Sequence, residues 1–263
     1  MQLIALTPWD LALAGALVLA LAATAWPMRL ELARPVLVAA ARTVVQLALV
    51  GLVLETVFAR GSVVWVGAIA LAMLLLAGRE ASARQARRLA GGWSFAGGTL
   101  AMFLSSFVTA VLALTIVIQP EPWHAPQYAI PLLGMLLGNT MTGVALGMDR
   151  LTSGVGHQRA AIEARLTLGD SAADAIEGLR RDAVRAGMIP TLNAMAAAGI
   201  VSLPGMMTGQ ILAGAPPWEA VKYQILIMFL IAAGTGFGTL TAVWLAVGRL
   251  SVDRDRLRLD RLR

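Results

Sequence analysis

Apolar runs of about twenty residues recur along this chain, the length needed to cross about 30 Å of hydrocarbon at about 1.5 Å per residue. No water reaches that layer, so each run must satisfy its own backbone N–H and C=O groups, and runs of this length do so as α-helices. Composition agrees: 58% of the 263 residues are apolar and only 14% are charged, too few to coat a soluble fold of this size. The expected fold class is therefore all-α, a polytopic membrane protein forming one transmembrane domain over residues 1–263.

Seven spans are expected: Trp9 to Trp26, Pro35 to Thr56, Ser62 to Ala77, Phe95 to Ile118, Ala129 to Met148, Ile189 to Ala213 and Ala220 to Val247. Tryptophans such as Trp26, Trp93, Trp123 and Trp218 fall near span ends, as interfacial belts require. Arginines crowd alternate connections: Arg29 and Arg34, then Arg79 to Arg88, then Arg150 to Arg185, then Arg249 to Arg263. The intervening connections hold little positive charge, with Arg60 alone in one of them. The positive-inside rule then puts the N-terminus outside and the C-terminus in the cytoplasm, which an odd number of spans allows. No Lys or Arg precedes the first run and Asp10 opens it, so it reads as a retained span, not a cleaved leader.

The longest polar stretch, about 149–187, reads as a cytoplasmic helical hairpin. Ala161, Ala164 and Leu168 share a face, and Gly169 interrupts the first helix. Ser171 with Asp174 forms a capping-box start for a second helix, on which Ala172, Ile176, Leu179 and Ala183 recur at helical spacing. Pattern alone leaves two uses open, a helix resting on headgroups or a docking element for a soluble partner. The tail 249–263 alternates Arg with Leu and Asp and reads as a solvated or membrane-skimming end.

Polar groups inside the spans are few. Arg42 and Gln46 make one stripe in the second span, expected to pack against another helix, and Glu55 sits at that span's outer end. The fifth span carries Asn139 and Thr142 beside Gly134 and Gly138, a small-xxx-small pair expected to close a tight helix interface. In the sixth span Pro204-Gly205 predicts a kink or break, followed at once by Met206, Met207, Thr208 and Gln210. Broken helices near the bilayer midplane often line transport sites, so spans five and six are expected to enclose a pathway. Neutral oxygens and methionine sulfurs suit transient cation contact, while methionine in apolar helices more often fills space.

Several chemistries are excluded or disfavoured. Without cysteine there are no disulfides, thiolate metal sites or Cys nucleophiles. The only lysine, Lys222, follows Val221 and not a glycine, so no P-loop is present and the chain is not itself an ATPase. No nucleophile–base pair marks it as an enzyme. The basic residues separate apolar blocks instead of forming a face with interleaved aromatics, which argues against nucleic acid.

Glu163-Ala164-Arg165-Leu166-Thr167-Leu168-Gly169 resembles the Glu-Ala-Ala…Gly coupling element of ABC-transporter permeases, with Arg165 in place of an alanine. The run Pro131 to Gly143 and the run Leu203-Pro204-Gly205-Met206-Met207-Thr208-Gly209-Gln210 resemble the FetB family, as do Arg42, Gln46 and Gly51. The resemblance spans nearly the whole chain. It implies the permease subunit of a bacterial ABC system in the inner membrane, associated with iron export and oxidative-stress resistance, with plant relatives tied to aluminium tolerance. It further implies a homodimer served by two copies of a separate FetA-like cytoplasmic ATPase that docks on Glu163, Ala164, Arg165, Leu168 and Gly169. No cofactor is expected on this chain; ATP is used by the partner. Two other readings stay open: an ABC permease for a lipid, sugar nucleotide or metal chelate, and a non-transporting membrane scaffold.

Overall fold

The computed structural model describes residues 5, 7–60, 62–252, 256–258 and 261–262, without the side chains of 55–60, 251–252 and 256–257. Helices are α1 (Pro8–Ala25), α2 (Ala33–Arg60), α3 (Val63–Ala83), α4 (Trp93–Ile118), α5 (Pro126–His157), α6 (Arg159–Thr167), α7 (Ala172–Ala175), α8 (Glu177–Ala197), α9 (Gly205–Leu212) and α10 (Pro217–Leu250). A two-residue antiparallel ladder, β1 (Ser251–Val252) with β2 (Arg256–Leu257), follows α10. Six of these helices, α1 to α5 and α10, are long and apolar enough to cross a membrane; in α2 the qualifying stretch is Ala33–Leu54. The chain is thus an all-α, polytopic membrane protein.

The contacts divide it into two compact units, residues 1–61 with 212–214, and residues 62–211 with 215–263. In the first, α1 pairs with α2 where Ala22, Ala25 and Ala33 are small enough to pack closely. Thr7 caps α1 through a reciprocal arrangement with Asp10. Almost all of α2 is exposed within this unit, which in hydrocarbon carries no penalty for Leu and Val.

The second unit is organised around α5. It packs most extensively on α10 and α8, and also on α3. Buried Leu136, Val144, Met148, Leu151 and Val155 form its inward stripe at helical spacing. The closest approaches are made by glycines. A side chain at Gly143 would meet Thr235 Cγ2 at 2.6 Å and the Gly187 carbonyl at 3.0 Å. One at Gly187 would meet the Gly143 carbonyl at 2.5 Å, and one at Gly147 would meet Thr239 Cγ2 at 2.9 Å. α5 and α8 therefore meet backbone to backbone here, with Thr235 and Thr239 of α10 packed against both, the way helices associate where lipid offers no hydrophobic driving force. The expected Gly134/Gly138 interface is corrected by this. A Cβ at Gly134 would touch only the end of Met73, and one at Gly138 would touch nothing.

Two π-helical stretches, Phe103–Phe107 and Ala113–Ile118, run within α4. The first turns Ser105 and Ser106 inward, where the Ser106 hydroxyl donates to Thr140 Oγ1 at 3.2 Å.

The segment expected as the sixth span is broken, as Pro204-Gly205 predicts, into two helices. α8 ends at Ala197, Gly199 takes a left-handed conformation (φ 80°), and the Gly199 N–H donates to the Ser202 carbonyl at 2.9 Å. α9 restarts at Gly205. The helix breaks several residues before Pro204, because Gly199 admits the left-handed turn and Pro204 cannot donate to extend the helix backwards. The two pieces still follow α5 along its length. Leu179 packs at Gly154, Gly187 at Gly143, and Met206 and Gln210 share a cavity with Met135 and Gln127. From Gly154 to Gln127 the α5 axis spans about 40 Å.

Candidate functional site

At the α5 N-terminal end lies a cavity of about 210 Å³, between α5, α9, α10 and the end of α4. Gln127, Tyr128, Pro131 and Met135 line it from α5, Met206 and Gln210 from α9, and Tyr223 and Ile227 from α10. Local sequence explains the lining. Pro131 lies inside α5 and removes the donor that would bond the Gln127 carbonyl, leaving that oxygen spare on the cavity side of the helix. Met135 follows Pro131 one turn along the same face. The Gln210 Oε1 atom is buried with no hydrogen-bond partner, and so is Gln224 Oε1 on α10. Unpaired buried amide oxygens need an acceptor's counterpart, either a donor or a cation.

The cavity brings together sulfur from Met135 and Met206, amide oxygen from Gln210, and tyrosine hydroxyls. Among the described residues no group of three His, Cys, Asp or Glu is placed to hold a metal. Such a donor set favours brief contact with a passing cation over tight retention.

Other expected pathway residues are placed differently. Asn139 and Thr142 continue the Met135 face of α5 away from the cavity. Asn139 is exposed, with its amide donating to the Met135 carbonyl at 2.8 Å. Thr142 donates to the Gly138 carbonyl at 3.1 Å. Thr208 Oγ1 is used by its own helix, donating to the Pro204 carbonyl at 3.2 Å. Met207 is half-buried and does not line the cavity. Pro204 ends the break itself. Arg42 and Gln46 lie one turn apart on α2 and are exposed in the N-terminal unit. The Glu55 side chain lies outside the described residues. Sequence reasoning missed Tyr128 and Tyr223, which sit at span ends where an interfacial role was the simplest explanation. The signal that could have found them is Pro131, which marks the freed carbonyl beside Tyr128.

At the opposite end of the unit, the hairpin is shorter than expected. α5 runs on to His157 and α8 begins at Glu177, so only residues 158–176 form the tip between them. Ala172, Ile176, Leu179 and Ala183 face inward, as their spacing predicts, and on the first helix Ile162 does so, not the Ala161, Ala164 and Leu168 face. The Ser171 hydroxyl donates to Asp174 Oδ2 at 2.6 Å and accepts from the Asp174 N–H at 3.2 Å. Arg165 is fixed by Asp170 Oδ2 at 2.7 Å and by the Ala175 carbonyl, and Glu163 by Arg159 Nε at 2.8 Å. Ala161, Ala164 and Gly169 are exposed, and Leu168 projects with 87% of its surface free. Gly169 adopts φ 101°, with nothing within reach of a side chain there. The tip is therefore a braced turn presenting one bare apolar residue among small ones.

The tail does not stand free. The Ala90 N–H donates to the Arg261 carbonyl at 2.7 Å, and Leu89 bridges Leu262, so its end pairs with the connection between α3 and α4. Arg249 stacks on Trp93, 4.6 Å from the ring centre.

The family model described as "Uncharacterised protein family (UPF0014)" matches residues 8–250. A UPF0014 membrane protein of Synechocystis is 42% identical over 226 residues, covering 85% of this chain and 84% of that one. The "probable iron export permease protein FetB" of Escherichia coli is 32% identical over 259 residues, 98% of this chain and 97% of its own. The protein "ALUMINUM SENSITIVE 3" of Arabidopsis thaliana is 31% identical over 234 residues, 88% and 84% of the two chains. No solved structure matches the chain.

Proposed function

The chain belongs to the UPF0014 family of membrane proteins, and on that premise we propose that it is the membrane-spanning permease subunit of an ABC transporter that moves iron or another metal cation out of the cytoplasm. The observation that carries this reading is the braced tip at 158–176, where Leu168 is bare beside Ala164 and Gly169. An apolar residue held out on a rigid turn is a surface made to be covered, and small neighbours let a groove close around it. A separate cytoplasmic ATPase covers it, and two permease copies with two ATPases complete the transporter. ATP is used in that partner; this chain binds no cofactor.

The topology follows from the same reading. The pair α8–α9 traverses the depth of α5 and supplies a seventh, broken crossing beside the six continuous helices. An odd count puts the N-terminus outside and the arginine-rich connections, the tip and the tail on the cytoplasmic side of the bacterial inner membrane. The cavity at Met135, Met206 and Gln210 then lies toward the outer side, where a cation released from the cytoplasm would leave. Asn139, exposed, and Thr142, half-buried, lie further down the same α5 face and continue the pathway inward. Arg42, Gln46 and Glu55 are candidates on the strength of the α2 polar pattern alone.

Co-purification with a soluble ABC ATPase tests the docking. Replacing Ala164 by Trp, or Gly169 by Val, is expected to abolish the complex while the permease still elutes as a folded species. Assembly that survives both changes contradicts the docking role. ATPase stimulation by an organic compound and not by Fe²⁺ would replace the metal with another cargo.

A further inference from the structure

Between α8 and α10 lies a cleft of about 790 Å³, separate from the Met206 cavity. Its α8 wall carries Arg180, Arg181 and Arg185, and its α10 wall carries Leu240, Val243 and Trp244. The charge is one-sided. Among the described residues Glu177 is the acid paired with these arginines, contacting Arg181 closely and Arg180 at 3.9 Å. The facing α10 residues bring no charge at all. Trp244 is 68% exposed and lies six residues before the end of α10, the depth at which tryptophan marks the headgroup boundary.

The cleft has an apolar continuation. Thr241 lines both it and a second groove of about 380 Å³ between α4 and α10, walled by residues such as Val108, Leu112, Leu230 and Phe237. From Thr241 to Leu230 the α10 axis runs about 16 Å, the length of much of an acyl chain. A cluster of guanidiniums at the membrane boundary, opening past one small residue into an apolar groove, matches the two chemistries of a single molecule. Guanidiniums pair with phosphate through charge-assisted hydrogen bonds, and basic pockets between transmembrane helices bind anionic headgroups.

We propose that this cleft is a binding site for an anionic phospholipid, with its phosphate on Arg181 and Arg185 and an acyl chain passing Thr241 toward Phe237. Only the choice of leaflet, the cytoplasmic one, rests on the orientation proposed above. The site clamps α8, which carries the broken crossing, to α10. Lipid occupancy thereby sets the position of the helix that links the tip to the cavity.

The test uses the purified full chain in nanodiscs and detergent, without ATPase or cargo, so its outcome is independent of the transport reading. Native mass spectrometry after mild delipidation counts retained phosphatidylglycerol against phosphatidylcholine. Phosphatidylglycerol is expected to be retained preferentially. R181Q/R185Q removes two charges and is expected to lower that retention roughly thirtyfold, at about fivefold per neutralised charge. Thr241→Trp keeps every charge but blocks the passage between the two grooves, and is expected to lower retention while leaving the elution profile unchanged. R150Q, a charge removed elsewhere, is expected to have no effect. Equal retention of the two lipids, or unchanged retention in both altered chains, overturns the proposal. Displacement of the lipid by soluble glycerol phosphate at equal concentration also overturns it, because the cleft would then be reading a free anion.

Discussion

The two ends of α5 are packed in opposite ways. Around Gly143 and Gly147 α5 touches α8 backbone to backbone at Gly187, and Thr235 and Thr239 of α10 press on both. Around Gln127 to Met135 the same helix faces a short, separately started α9, a cavity and an unpaired amide oxygen. Close packing of this kind is rigid, since the two β-branched threonines have no room to rearrange. A cavity beside a broken helix permits small movements, because few contacts are lost. The difference suggests a division of labour along α8–α9: the tight end passes force from the tip, and the open end makes and releases cation contacts.

The largest expected effect falls on the tight end. Gly143→Leu drives a side chain into Thr235 and the Gly187 backbone, and overpacking of this kind is expected to cost about 3 kcal/mol. Thermal unfolding in detergent measures it. Full stability in that variant would mean the three-helix contact is not tight. Next, Leu168→Asp at the tip removes one apolar anchor, expected to weaken ATPase association by roughly 1.5–3 kcal/mol with no change in permease melting. Titration of the ATPase onto immobilised permease reads that loss, and an unaltered affinity would show that the tip does not dock. A smaller effect is expected in the cavity. Gln210→Leu removes one free oxygen without disturbing a hydrogen bond, and should slow transport about fivefold, the worth of one polar contact. Transport unchanged in this variant would detach the cavity from the pathway. The smallest is Gly138→Ala, which meets open space. It should leave stability unchanged or raise it by up to about 1 kcal/mol through helix propensity. A loss as large as that of Gly143→Leu would erase the contrast between the two ends.

The sequence made some of this legible and concealed the rest for physical reasons. Helix existence follows from run length, because hydrocarbon leaves no alternative for the backbone. The break at Pro204-Gly205 was also readable, though the left-handed turn at Gly199 moved its start upstream. Which glycines pack was not readable. In a helix that is apolar on every side, periodicity does not tell which face meets another helix, so Gly134 and Gly138 looked as good as Gly143 and Gly147. Gly187 was missed because it sits at the edge of a stretch polar enough to read as a cytoplasmic hairpin, although α8 carries it into the three-helix contact. The inward face of the hairpin, by contrast, was legible at Ile176, Leu179 and Ala183, because polar surroundings restore the contrast that periodicity needs. The cavity depended on α10 supplying Tyr223 and Ile227, a long-range juxtaposition that no local pattern encodes.

The most direct measurement is cation flux in proteoliposomes holding the permease with its ATPase, oriented so that ATP is added on the ATPase side. The account predicts ATP-dependent Fe²⁺ movement away from that side, lost in Leu168→Asp and slowed in Gln210→Leu. ATP hydrolysis without cation movement, or flux that persists undiminished in Leu168→Asp, would contradict it.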